Sequence, residues 1–218
     1  MKIIKYPDIL ENKNIDYIKK FLEKDNIIIY PTDTIYGIGG NFFSLTALKK
    51  IDKIKGRTDN PYSIVISDIS MLNGLVEEIP DIFYSIYKNL LPGKFTFLFK
   101  ASKSLNKSLL KNNKKIGIRI PGIPNILKLI KILNFPLIST SVNKSGRKPL
   151  NDPEKIMKEF TILQTALFDS LLIDYGIMPE SKGSTIIDIS ENTIKYIRKG
   201  DDYERFKSWM FKQTTSIF

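Results

Sequence analysis

The residue types best able to do chemistry in this chain gather in polar stretches that follow apolar runs. The first is Tyr30-Pro-Thr-Asp-Thr-Ile-Tyr-Gly-Ile-Gly39, with Lys55-Gly56-Arg57 soon after it. Residues 27–30 are short, branched and apolar, the pattern of a buried strand. Pro31 has no amide hydrogen to offer a ladder, so the strand is expected to stop there. Two hydroxyls (Thr32, Thr34), a carboxylate (Asp33) and two glycines (Gly37, Gly39) then read as a turn whose backbone a ligand can approach closely. A hydroxyl-rich turn followed by the cations Lys55 and Arg57 suits an anionic ligand, although an ordinary strand-to-helix connection would also carry surface cations. The second stretch, Ser139-Thr-Ser-Val-Asn-Lys-Ser-Gly146, offers hydroxyls and an amide after the apolar run 135–138. Such groups can donate to phosphate oxygens or help hold a hydrated Mg²⁺; a turn capping the next helix would use the same residues. Ser184-Thr185 is a further hydroxyl pair, and Arg198 closes the set.

Arginine usage sharpens this reading. Of 34 basic residues only those at 57, 119, 147, 198 and 205 are Arg, which leaves 29 lysines. In a chain that defaults to Lys, an Arg marks a place where a planar fork of donors is wanted for carboxylate or phosphate. Arg119 is the sharpest case. It alternates with isoleucines in Ile116-Gly-Ile-Arg-Ile-Pro121, so a strand would turn the isoleucines to one face and Arg119 to the other. A buried structural ion pair is the alternative use of such an Arg.

Composition removes several classes of chemistry. The 218 residues contain no His and no Cys, which excludes imidazole bases, thiolate nucleophiles, disulfides and Cys/His metal sites. A net charge of +11 points to anionic partners, but runs such as Lys111-Asn-Asn-Lys-Lys115 suit solvated loops equally well. No apolar run has the length of a membrane span, and residues 1–7 lack the apolar core of a secretory signal. The expectation is a cytoplasmic protein with no membrane partner.

These residues need elements to position them. Periodicity predicts helices over 11–24, 45–54, 81–90, 125–133 and 153–160, with a terminal helix after Gly200. Strands are expected at 27–30, 63–67, 95–100, 116–120, 135–140, 171–174, 185–189 and 194–197. Helices mixed with strands, some connections being too short for a parallel crossover, imply an α/β or α+β domain with a mixed sheet.

Pro31-Thr-Asp-Thr-Ile-Tyr-Gly37, Lys55-Gly56-Arg57, Pro92-Gly93 with Thr96, Ile118-Arg-Ile-Pro121, Ser141-Val-Asn143 with Ser145-Gly146, Ser184-Thr185 with Asp188, and Arg198 with Gly200 occur in that order. In this set and order the chain resembles the YrdC/Sua5 family. Its members are L-threonylcarbamoyladenylate synthases acting in the N6-threonylcarbamoyladenosine (t6A37) modification of tRNA. The resemblance implies one YrdC-like domain over residues 1–218, with its core near 10–200 and a short helical tail at 201–218. It implies an open, twisted, mixed α/β sheet with flanking helices and a concave basic cavity for ATP and threonine. It also implies a nucleotidyltransferase reaction, in which the carbamate made from threonine and bicarbonate or CO2 attacks the α-phosphate of ATP and pyrophosphate leaves. By motif position, Lys55 and Arg57 would be the catalytic cations on the phosphates. Asn60, Ser139, Ser141, Asn143 and Arg198 would also bind ATP, and Thr32, Thr34, Arg119 and Ser184 would bind threonine, with Arg119 on its carboxylate. Mg²⁺ would accompany ATP with no protein ligand assigned, and the product would pass to a tRNA threonylcarbamoyl-transferase complex. The chain departs from the family pattern at Thr58, Tyr62-Ser63, Lys94 and Gly183, which puts local loop geometry in question.

Two other readings use the same residues. One is a non-catalytic module for double-stranded RNA or tRNA, favoured by the charge but lacking an aromatic-glycine RNA signature. The other is a carbamoyltransferase-like domain of the kind found in hydrogenase maturation factors, which carry zinc-finger cysteines absent here.

Overall fold

The computed structural model describes residues 1–56, 61–164, 169–191 and 193–215. In chain order the elements are β1 (Lys2–Lys5), α1 (Asn12–Glu23), β2 (Ile27–Pro31), β3 (Tyr36–Gly39), α2 (Leu45–Lys55), β4 (Ser63–Val65), α3 (Asp81–Leu90), β5 (Phe95–Lys100) and β6 (Lys115–Arg119). They continue as α4 (Pro124–Leu133), β7 (Leu137–Ser141), α5 (Pro153–Gln164), β8 (Ser170–Asp174), β9 (Thr185–Asp188), β10 (Lys195–Arg198) and α6 (Tyr203–Thr215). The strands form one mixed sheet in the order β1-β8-β2-β3-β7-β4-β6-β5-β9-β10. Parallel pairs (β1 with β8, β2 with β8, β4 with β6, β5 with β9) are interleaved with antiparallel ones. The expected mixed α/β sheet with flanking helices is thus the observed fold.

Local chemistry accounts for the element ends. Ser44 caps α2 by accepting from the Ala47 amide at 2.9 Å, and Gly56 ends it in the left-handed region at φ 65°. Pro124 sits in the first turn of α4, where its missing amide hydrogen costs nothing, and Asn134 ends that helix at φ 58°. Pro31 is the last residue of β2, as expected. The strand then turns directly into a second one, because Tyr36–Gly39 pairs antiparallel with β2 rather than forming a loop. Gly39 lets β3 fit between β2 and the later strand that contains Ile138: a Cβ there would lie 2.1 Å from the Ile138 carbonyl oxygen and 2.8 Å from the Tyr30 ring. Its missing side chain therefore serves packing and not ligand approach, which corrects the sequence reading of this glycine.

Strand alternation divides the two faces of the sheet sharply. On one face Ile27, Ile29, Ile38, Ile64, Phe95, Phe97, Phe99, Ile118 and Ile138 join a continuous core with Ile51 of α2, Phe83 and Ile86 of α3 and Phe206 of α6. Each such side chain contributes about 1.5–3 kcal/mol by its burial. On the other face α1 and α4 cover only one part, packing Ile18, Leu22, Ile126 and Ile130 onto Ile28, Tyr30, Val65 and Leu171. Where those helices stop, the strands carry Gly37, Ser63, Arg119, Ser139 and Ile186 facing a cavity of about 430 Å³. Its place follows from where the uncovered face is lined by small and polar side chains.

Candidate active site

Lys55, the last residue of α2, enters the cavity from one end. It is only 3% exposed. Its Nζ donates to the Ser141 carbonyl at 2.7 Å, to Asn143 Oδ1 at 2.7 Å and to Ser141 Oγ at 3.3 Å. The Ser145 amide returns a bond to the Lys55 carbonyl at 3.1 Å, so the end of α2 and the loop after β7 are tied together. A cation at a helix C-terminus also gains from the helix dipole. Asn143 in turn donates to the Arg147 carbonyl, which closes the loop on itself. Ser139 lies deeper on β7, and its Oγ would be 3.2 Å from a Cβ at Gly37. Arg57 and Asn60 lie outside the described residues.

The other end is built on an ion pair. Arg119 is 7% exposed and its partner Asp33 8%; one guanidinium nitrogen donates to Asp33 Oδ1 and to Thr34 Oγ1, each at 3.0 Å. The second Asp33 oxygen accepts from the Gly122 amide at 2.9 Å. Among the described residues, Arg119 Nε is buried with no partner. Thr32 also lines the cavity. Its hydroxyl donates to the Ile35 carbonyl at 2.7 Å and accepts from the Ile35 and Thr34 amides, so it mainly staples the turn. Ser184 and Thr96 share a hydroxyl–hydroxyl bond of 2.7 Å across β9 and β5.

Arg198, grouped by motif with the nucleotide residues, stands beside Ser184 in the same cavity. Its Nε and one terminal nitrogen donate to the Ser184 carbonyl at 3.1 and 2.8 Å. Among the described residues it has no carboxylate partner. Burial holds its pKa below the ordinary arginine value, and the charge of Arg119 adds to the effect. Two guanidiniums thus feel each other across the cavity, and only one carries a counter-charge. The sequence reading left Asp33 and Thr96 without roles. The signal for Asp33 was the need of a strand arginine for a counter-ion.

The ionisable groups limit the chemistry available. Burial pushes the Tyr36 phenol up to about 12 and the Tyr30 phenol higher still, so neither is a base near neutrality. With no His or Cys in the chain, positioning and fixed positive charge are what this cavity can supply.

Against known proteins, the Sua5/YciO/YrdC family model, described as telomere recombination, matches residues 20–200. The chain belongs to this family. Among its relatives, a Methanocaldococcus jannaschii protein provisionally named a threonylcarbamoyl-AMP synthase is 34% identical over 203 residues, spanning 91% of this chain and 93% of its own. The uncharacterized Escherichia coli protein YciO is 28% identical over 198 residues, spanning 89% and 93%. The crystal structure of Pyrococcus abyssi Sua5 complexed with L-threonine superposes with a TM-score of 0.80 at 25% identity, over 91% of this chain. This chain spans 57% of that protein's length. A family that includes both named synthases and YciO leaves the activity to be argued from the site. Among the described residues, no helix is long and apolar enough to cross a membrane.

Proposed function

We propose that this protein is an L-threonylcarbamoyladenylate synthase, an enzyme of the nucleotidyltransferase type that serves t6A37 modification of tRNA. The observation that carries the reading is the division of one cavity into a Lys55–Ser141–Asn143 end and an Arg119–Thr32–Ser184–Arg198 end, with Thr34 bonded to Arg119 behind it. The first suits a polyphosphate; the second suits a small hydroxy amino acid with a carboxylate. The name and bound ligand of the Pyrococcus abyssi neighbour support the choice of threonine. A cavity of about 430 Å³ is within the usual range for small-molecule sites.

The chemistry follows from that arrangement. Threonine's amine adds to CO2, supplied as such or from bicarbonate, and loses a proton to give a carbamate. A carbamate oxygen then bonds to the α-phosphorus of ATP as the bond to the bridging oxygen breaks and pyrophosphate departs with its electron pair. Arg119, held rigid by Asp33, receives the threonine carboxylate. Arg198 faces the anionic carbamate, and Lys55 with Ser141 and Asn143 receives the phosphates; Arg57, Asn60 and Ser139 complete that set. Charge that moves onto oxygen during displacement meets cations already in place, which is where electrostatic catalysis gains most. Mg²⁺ accompanies ATP in this proposal as counter-ion to its phosphates. Among the described residues no cluster of three or more acidic groups could hold a metal, and Asp33 is already engaged by Arg119 and Gly122. The product, a mixed anhydride, requires an acceptor enzyme, the tRNA threonylcarbamoyl-transferase complex.

Pyrophosphate release from ATP should require both threonine and bicarbonate, with serine a poor substitute. Release independent of any amino acid would remove the proposal. Salt-sensitive retention of double-stranded RNA without threonine-dependent release would favour the RNA-binding module instead.

A further inference from the structure

The connection from β8 to β9 links strands that lie far apart in the sheet. β8 is second in strand order and β9 ninth, and the chain passes from Asp174 to Thr185 between them. Seven inter-strand steps of about 4.8 Å would separate those strands by about 34 Å in a flat sheet. Eleven Cα steps reach at most about 36–40 Å. Residues 175–184 form a strap between those strands, and its far half, Ser181 to Ser184, forms a wall of the cavity.

Each half of the strap has its own anchor. In the first half Tyr36 donates to the Gly176 carbonyl at 2.8 Å and accepts from the Tyr175 amide at 2.9 Å, while Asn151 and Met178 exchange two bonds. In the second half the contacts converge on Asp201, just beyond β10. Its carboxylate accepts from Ser181 Oγ at 2.6 Å and from the Lys182 amide at 3.1 Å, and its own amide donates to the Gly183 carbonyl at 2.8 Å. Burial pushes the Asp201 carboxyl up, but these bonds and nearby Lys94 outweigh it and keep the group below the usual carboxylate range. The strap also lies flush on its neighbours. A Cβ at Gly200 would be 2.3 Å from the Gly183 carbonyl oxygen, and one at Gly183 would be 3.1 Å from an Arg198 guanidinium nitrogen.

We infer that Asp201 is a positioning residue that clamps residues 181–184, thereby setting where Ser184 and Arg198 stand for the amino-acid substrate. Nothing in Asp201 faces the reacting atoms; it acts through the strap. The inference rests on the synthase reading for its substrate, and its mechanical part can be tested without it.

The experiment compares wild type, Asp201→Asn and Ser181→Ala by pyrophosphate-release kinetics and by backbone hydrogen exchange over residues 181–184. The Asn variant keeps the size of the side chain and loses the charge. It should raise the threonine KM about tenfold with kcat within about twofold and ATP binding unchanged, because a bond to a charged group is worth about one such factor. Ser181→Ala, which loses one neutral partner, should give a smaller rise, and both variants should speed exchange in the strap. Three results would overturn the inference: exchange unchanged in Asp201→Asn, faster exchange with threonine KM unchanged, or kcat, ATP binding and melting temperature all falling together. Wild type that releases no pyrophosphate with threonine would remove the synthase reading alone. The exchange comparison would then judge the clamp.

Discussion

Two arginines look into the same cavity and are held in opposite ways. Arg119, on a central strand, is buried against the equally buried Asp33. Arg198, on the edge strand β10, is solvent-accessible along its length but has its guanidinium half-buried in the cavity, resting on the neutral oxygens of Ser184. A guanidinium with its own counter-charge is a rigid frame: it keeps its direction whether or not substrate is present. One without a counter-charge keeps its electrostatic demand for a ligand. The pairing of a fixed fork with an unsatisfied one is what an anion-rich displacement needs, since the first orients the substrate and the second responds to charge as it develops.

The contrast is broken most forcefully at the frame. Arg119→Ala strands the Asp33 carboxylate in a buried site, and loss of one partner of such a pair costs about 3–5 kcal/mol. Denaturant unfolding should show a loss of that size, partly recovered in the double variant with Asp33→Asn, because the stranded charge is then gone. Threonine affinity should fall more than tenfold, and Arg119→Lys should rescue it only in part, an ammonium lacking the fork. Stability of Arg119→Ala within about 1 kcal/mol of wild type would erase the distinction between the two arginines. The same substitution at Arg198 should do the reverse. Unfolding should change by less than about 1 kcal/mol, because no buried carboxylate is left stranded, while turnover falls about 10²–10³-fold, the range for a lost electrostatic donor.

How much of this was readable beforehand depends on the range of the interactions. α3 and β5 lie where their apolar periodicity puts them, because each is specified by its own sequence. β1 escaped, since Lys-Ile-Ile-Lys becomes a strand only by pairing with β8, some 170 residues later. β3 escaped because its two glycines resemble a turn until the Tyr30 ring and the Ile138 carbonyl are seen pressing on Gly39. The site divides likewise. Residue types at Lys55, Ser141 and Asn143 already suggested phosphate chemistry, and the structure joins them directly. That Thr32 staples a turn, that Asp33 frames Arg119 and that Arg198 belongs with Ser184 are consequences of strand pairing, which no local spacing encodes.

A smaller effect tests the neutral side of the contrast. Thr96→Val removes the hydroxyl that meets Ser184 Oγ at 2.7 Å and leaves the shape of the side chain. About 1 kcal/mol, or a fivefold rise in threonine KM, is expected for one neutral bond. An effect as large as that at Arg198 would mean that the hydroxyl pair, and not the free charge, dominates this end of the cavity.

The smallest expected effect is no change at all with pH across the neutral range. The chain contains no histidine, the side chain that ordinarily changes charge there. Stability measured as melting temperature should therefore be nearly flat from about pH 5.5 to 8.5. Below that range it should fall, and the sign can be worked out. Burial pushes Asp174 and Asp188 up, but hydrogen bonds from Lys5 to the first and from Lys115 and Ser190 to the second outweigh it and hold both below the usual carboxylate range. A carboxylate depressed on folding stabilises above its unfolded pKa, near 3.9, and that contribution is lost as pH drops through the lower folded value. Lys115 behaves as the mirror image. Its bond to Asp188 raises its pKa, so its contribution is complete below about pH 10.4 and fades only as pH climbs through the higher folded value. A melting transition centred near pH 6–7 would require a titrating group between these limits, and the contrast between the two arginines would then no longer describe the site across the physiological range.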